Sequence, residues 1–267
     1  MRNNTKKKNI TIQITIMTSL IVMEIIAFVG HQGPLALEQE TNDTRVTNQW
    51  LNIMSNVKTF VVSNVFSPKI VDSAFIHPFA VVIGDCFIGK DVLVAPTAVC
   101  RADEGVPIHN GGYSNIQDGV ILHAIDAVKV GINNDNKRFS QNGERLLGND
   151  TRFDQGYAIF IGGNVSLAHD SVVHGPVWIG NNTIVGVKSA VLDSKIGNNV
   201  VIRLGSIVVG VEIQDNTLVP IGSIITNQTP VASLPSAIGN PSQHLNQGDL
   251  LNSQVLAKAY NNASIEK

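Results

Sequence analysis

Aromatic residues are scarce, at 5% of a 267-residue chain, and charged residues reach only 15%. A fold built around aromatic clusters is therefore a poor fit, and small aliphatics in a regular stack are a better one. Cysteine is nearly absent. Cys86 and Cys100 are the only two, too few for a disulfide framework, and both are expected as buried free thiols. There is no basic excess either. Lys and Arg total 19 against 21 Asp and Glu, and without residues 1–29 the chain keeps 15 basic and 20 acidic residues, a net of about −5. A nucleic-acid partner needs a basic footprint and is not expected. Between the apolar segments no amphipathic helices appear, which argues against a two-domain α/β arrangement.

The N-terminus does carry a long apolar run. Arg2, Lys6, Lys7 and Lys8 precede it, and it extends from Ile10 to about Gly30. A basic stretch followed by an apolar one is the export pattern. Residues 1–30 are expected to be a signal peptide, with an uncleaved membrane anchor as the alternative because the run is about as long as a span. The protein is then exported, extracellular or at the cell surface. Any membrane contact comes through that anchor alone. Residues 31–66 read as an N-terminal arm with a short helix around Trp50–Val57.

What dominates the rest is a period of six. Aliphatic or small residues recur at Ile76, Val82, Ile88, Val94, Cys100 and Val106, and again at Ile116 and Leu122. After an interruption they resume at Ile161, Leu167, Val173, Ile179, Val185 and Val191, then Ile196, Ile202 and Val208, then Ile213 and Val219. Six matches neither a helix nor a simple alternating strand. It is the signature of a parallel β-helix in which each hexapeptide makes one flat side and a corner. Glycine and asparagine, among them Asn164, Asn181 and Asn198, suit corners where positive φ is needed. The expected class is all-β with a terminal helix: a left-handed parallel β-helix of hexapeptide repeats over 67–230, interrupted by a loop insertion at 126–158. Residues 231–267 follow with a C-terminal α-helix at about 244–262, carrying Leu250, Leu251, Val255 and Leu256.

The repeat gives meaning to three of the seven histidines. His123 and His174 each follow an inward slot, Leu122 and Val173. With the insertion looped out, those slots share a face one coil apart, at the normal strand spacing of roughly 4.8 Å. Two imidazoles at that spacing can converge on one metal. His169 falls on a different side near a corner, so it reaches the same metal only from a neighbouring subunit. The expectation is a site between subunits of a cyclic oligomer, with three nitrogen ligands and room for water. Three imidazoles suit zinc, iron(II) or cobalt(II) alike. His31, His77, His109 and His244 lack such support. His109, beside a Gly-rich stretch, reads as an ordinary loop residue.

The stretch CRADEGVPIHNGGYSNIQDGVILHA (100–124), followed by NVSLAHDSVVHGP (164–176), resembles the gamma-class carbonic anhydrases. The resemblance spans roughly residues 70–230, and the terminal helix is similar in kind. It implies a left-handed β-helix homotrimer with metal at the subunit interfaces, and the reversible hydration of CO2 to bicarbonate through a metal-activated water. His123 and His174 would come from one subunit and His169 from the next, with Zn2+ as the first choice of ion. Gln117 and Asn115 would position water and CO2. Glu104 would accept a proton. Arg101, Asp103 and Asp118 would form ion pairs at the interface. Asp126 stands near the place where an exported subgroup carries a glutamate proton shuttle. The surrounding loop also carries Lys129, Lys137, Arg138, Arg145 and Arg152, so it is no longer acidic as it is in that subgroup. A scaffold without catalysis and a hexapeptide-repeat acyltransferase are the rival readings. A pantetheine channel would mark the second, and a metal site would argue against it.

Overall fold

The computed structural model describes residues 51–60, 62–125, 128–129, 132–133, 136–227 and 229–265. Residues 51–265 of this set form a left-handed parallel β-solenoid of about 8 turns with one C-terminal helix. Among the described residues no helix is long and apolar enough to cross a membrane.

The prism has three faces. The first stacks Ile53–Met54, Val81–Gly84, Val99–Ala102, Ile121–His123, the start of Val172–Ile179, the start of Ala190–Ile196, Ile207–Val209 and Ile224–Ile225. The second stacks Lys69–Ile70, Cys86–Ile88, Ile108–Asn110, Ile159–Ile161, the ends of the same two long strands, and Glu212–Ile213. The third stacks Phe75–Ile76, Leu93–Val94, Asn115–Ile116, Ser166–Leu167, Ile184–Val185, Val201–Ile202 and Leu218–Val219. Within each face every pairing is parallel.

The six-residue slots point inward as the period requires. Val82, Ile88, Val94, Cys100, Ile116, Leu122, Ile161, Leu167, Val173 and Ile179 are all fully buried and belong to one continuous core. Burying such a side chain contributes roughly 1.5–3 kcal/mol, so a column of them holds the coils together without aromatic mass. A polar side chain interrupts this column: Asn110 is fully buried between Ile88 and Ile161 and its amide has no hydrogen-bond partner.

The corners differ in detail from the sequence expectation. The left-handed backbone falls at Asn164, Asn182, Asn199 and Asn216, with φ of 56°, 58°, 54° and 57°. Asn181 and Asn198 do something else. Their side-chain oxygens accept backbone N–H groups of the preceding coil, from Gly163 and Asn181, each at 2.8 Å. That explains the glycine after the slot. A Cβ on Gly180 would lie 2.7 Å from Asn198 Oδ1.

Three expectations are corrected. Cys86 and Cys100 are paired as a disulfide, not free thiols. Both side chains point into the prism interior, Cys86 from the second face and Cys100 from the first face of the next coil, which brings their sulfurs together. Residues 51–57 hold no helix; Ile53–Met54 instead adds a parallel strand beside Val82–Ile83, satisfying an edge that would otherwise be open. His109 is not in a loop. It sits in the strand Ile108–Asn110, pressed between Phe87 and Phe160 with ring centroids 4.9 and 4.5 Å away.

That histidine belongs to a column on the outside of the second face: Phe87, His109, Phe160, Trp178 and Lys195, one per coil in register. The described part of the insertion lies over this column. A hairpin pairs Lys137–Phe139 with Arg145–Leu147, and a short 3-10 turn runs over Phe153–Gln155. Trp178 Nε1 donates to the Gln141 carbonyl at 3.1 Å, and Asp193 holds both Lys137 (3.1 Å) and Arg145 (2.6 Å).

The C-terminal helix spans Leu245–Ile265 and packs on the third face. Its buried residues are Asn246, Leu250, Ser253 and Ala257, a helical stripe that is half polar. Leu251, Val255 and Leu256 are exposed, contrary to what their apolar character suggested.

Candidate metal centre

His123 ends the strand Ile121–His123 on the first face, and its register partner on the next coil is His174. Their rings meet edge to face with centroids 4.9 Å apart. The period places them there: Leu122 pairs with Val173, so the following residue of each strand projects outward at the same height. After His174 the chain must turn the corner against the neighbouring coils. Gly175 permits it, because a Cβ there would run into the carbonyl oxygens of Ala124 and Ala158.

The hydrogen bonds select the ring tautomers. His174 Nδ1 donates to the Gly175 carbonyl at 3.1 Å, so the neutral ring keeps its lone pair on Nε2. His123 Nε2 accepts from Arg101 Nη2 at 2.5 Å, which puts its proton on Nδ1. A ligand histidine whose other nitrogen donates to a backbone carbonyl is the usual second layer of a metal site. Burial holds the His123 pKa below the ordinary histidine value, helped by the Arg101 charge and by His174, and opposed by Glu104. Neutral imidazole is the form that binds metal. The donor set therefore fits a divalent cation held by nitrogen.

Carboxylates complete this corner. Glu104 Oε1 stands 3.1 Å from His123 Nε2 and 3.6 Å from Arg101 Nη2, and Arg101 Nε meets Asp103 Oδ1 at 3.1 Å. The ligand atoms of Asp103, Glu104 and His123 lie within 4.8 Å of one another. One chain thus gathers His123, His174, Arg101, Asp103 and Glu104.

The remaining candidates lie on the third face. His169 and Asp118 are register neighbours on adjacent coils, with His169 Nδ1 3.1 Å from Asp118 Oδ2, and about half of each side chain is exposed. Within one chain His169 does not join His123 and His174. Within one chain Asp118 pairs with this histidine. Gln117 Nε2 donates to Asn115 Oδ1 at 3.3 Å. Asn115 is fully buried and donates to Ser166 and Ser253 at 3.0 and 2.9 Å, so it stands behind Gln117. Asp126 lies outside the described residues. Ser166 and Ser253 were not among the site residues expected from the sequence. Ser166 belongs to the S-L-A-H run, but nothing local marks Ser253, which reaches Asn115 from 138 positions away.

No protein-family model matches the chain. It is 38% identical over 184 residues to the carbonic anhydrase of Methanosarcina thermophila, covering 68% of this chain and 70% of that protein. It is also 38% identical over 128 residues to the carboxysome assembly protein CcmM of Nostoc sp., covering 48% of this chain but only 20% of that longer protein. Among solved structures, a putative acetyltransferase of Bacillus cereus superposes with a TM-score of 0.56 at 19% identity, over 79% of this chain and 99% of that one. At that identity the likeness concerns the fold alone.

Proposed function

Because the chain belongs to the gamma-class carbonic anhydrase family, we propose that it catalyses the reversible hydration of CO2 to bicarbonate, in a homotrimer whose copies share three-histidine metal sites. The observation that carries this reading is the His123–His174 pair, one coil apart with each ring's lone pair on Nε2, that of His123 engaged by Arg101. His169 of a neighbouring copy supplies the third nitrogen, since its own chain holds it on another face. Zn2+ is the ion proposed, with Fe2+ or Co2+ as equivalents for this donor set. When bound, such an ion acidifies water to a pKa of about 7, a value for which carbonic anhydrase is itself the reference case.

The chain's own residues do the rest. Gln117 orients the attacking water and Asn115 holds Gln117 in place. Glu104 receives the proton that hydration releases, CO2 and H2O giving bicarbonate and H+, and hands it to buffer, being partly open to solvent (27%). Arg101 keeps the Glu104 and Asp103 carboxylates in place, and an ion held by His123 Nε2 would have to displace its guanidinium from that nitrogen. Asp118 orients His169 through Nδ1. Asp126 is proposed as a further proton carrier. Residues 1–30 direct export as a signal peptide or anchor, so the trimer works at or beyond the cell surface.

Metal analysis combined with 18O exchange between CO2 and water tests the proposal. About one metal per chain is expected, with exchange well above buffer. A fully loaded protein that exchanged no faster than buffer would sink it. One observation favours a second reading, a family member that binds without catalysing: the Arg101 guanidinium occupies the nitrogen an ion needs. Failure to take up metal at neutral pH is the outcome that reading expects.

A further inference from the structure

We propose that Ser253, on the C-terminal helix, is a positioning residue that fixes which way the Gln117 amide faces the site. The inference rests on the carbonic anhydrase reading for the role of Gln117, and on hydrogen-bond direction for the rest.

A carbonyl oxygen only accepts, so direction can be assigned from Asp249 onward. Ser253 Oγ gives its one proton to the Asp249 carbonyl at 2.8 Å, the back-bond to position i−4 that serines make in helices. It can then only accept from Asn115. The Asn115 atom 2.9 Å away is therefore its NH2 group, which donates to Ser166 Oγ as well, at 3.0 Å. The opposite end of the amide, Oδ1, accepts from Gln117 Nε2 at 3.3 Å. Gln117 is left with Oε1 as its acceptor for the site. The proton of a water held there has an oxygen to point at, which aims the water's lone pair at CO2.

Reversing Asn115 would set its oxygen against a hydroxyl oxygen whose proton is already committed. In a fully buried side chain no water relieves that clash. Gln117 would have to reverse too and present NH2 to the water. The helix itself is seated independently. Asn246 donates to the Asn164 carbonyl at 2.8 Å, Gln254 to the Tyr113 carbonyl at 3.4 Å, and Leu250 and Ala257 are buried. Removing one hydroxyl leaves it in place.

The test uses the full chain with Ser253→Ala and Ser253→Thr. The side-chain amide resonances of Asn115 and Gln117 are followed in metal-free protein, and kcat and KM in the loaded one. Ser253→Ala should move both amide pairs and lower kcat about tenfold at unchanged KM, the scale of one lost hydrogen bond. Ser253→Thr, which keeps the hydroxyl, should restore both. Unmoved Gln117 resonances in Ser253→Ala, or a threonine variant as impaired as the alanine one, would overturn the assignment. The resonances need neither metal nor turnover. An inactive wild type would therefore sink the hydration reading while the Ser253 test still stood.

Discussion

Two faces of the same prism carry opposite outer surfaces. On the second face the outward column is aromatic, and the chain covers it with its own insertion. On the first face the outward column is aliphatic. Val99, Ile121, Val172, Ala190, Ile207 and Ile224 stand in register beside the Arg101–His123–His174 column, and Ile121, Ile207 and Ile224 remain exposed at 43%, 41% and 67%. Both surfaces are apolar, yet among the described residues only the second is covered by the chain itself. An apolar face beside an incomplete ligand set is what a partner copy would cover, and an apolar face under a clamped hairpin is already spent on stability.

Substitutions separate the two roles, the largest effect first. His174→Ala should lower metal affinity by more than about a hundredfold, the most that loss of a mere supporting partner costs. Circular dichroism should be unchanged, and metal titration reads the loss. Ile121→Asp places a charge in the proposed interface. Loss of one partner from a buried pair costs about 3–5 kcal/mol, and an unpaired charge here should cost a similar amount. Light scattering should then report a folded monomer that no longer holds metal. A trimer of normal metal content would break the link between the bare face and the site.

The second face should answer differently. Trp178→Ala strips the anchor beneath Gly143 and Gln141. A partly covered tryptophan should cost about 2 kcal/mol in urea unfolding, less than the 3–5 of full burial. Metal content should not move. The smallest effect concerns pH. Burial in the aromatic column holds His109 below the ordinary histidine value, so at mildly acidic pH the unfolded chain binds a proton that the folded one does not. Stability from this residue is complete above the unfolded pKa, near 6.5, and declines as pH falls from there toward the lowered folded value. His109→Phe extends the stack without a titrating ring. The gap between urea midpoints at pH 8 and pH 5 should narrow, and an unchanged gap would assign the acid sensitivity elsewhere.

Much of this was readable before any coordinates. The hexad slots are the core, and the pairing of His123 with His174 follows from counting sides across the insertion. The readable part is local. Each slot depends on its neighbours one coil away, and coil length is written in the repeat. The failures share another cause. Leu251, Val255 and Leu256 invited burial by composition, yet the helix turns Asn246 and Ser253 inward because the third face offers polar partners there. Cys86 and Cys100 gave no framework signal, because two cysteines 14 positions apart are paired by the prism interior. His109 sat in no recognisable motif because its partners, Phe87 and Phe160, come from coils on either side.

By itself the sequence determined the solenoid, its inward column and the meeting of two histidines, since a period of six leaves no other regular way to bury those aliphatics. Tertiary structure alone decided which outer face the insertion covers, and that a serine 138 residues away sets the polarity of Asn115. Those contacts join segments with no common period, so their geometry exists only once the coils have stacked.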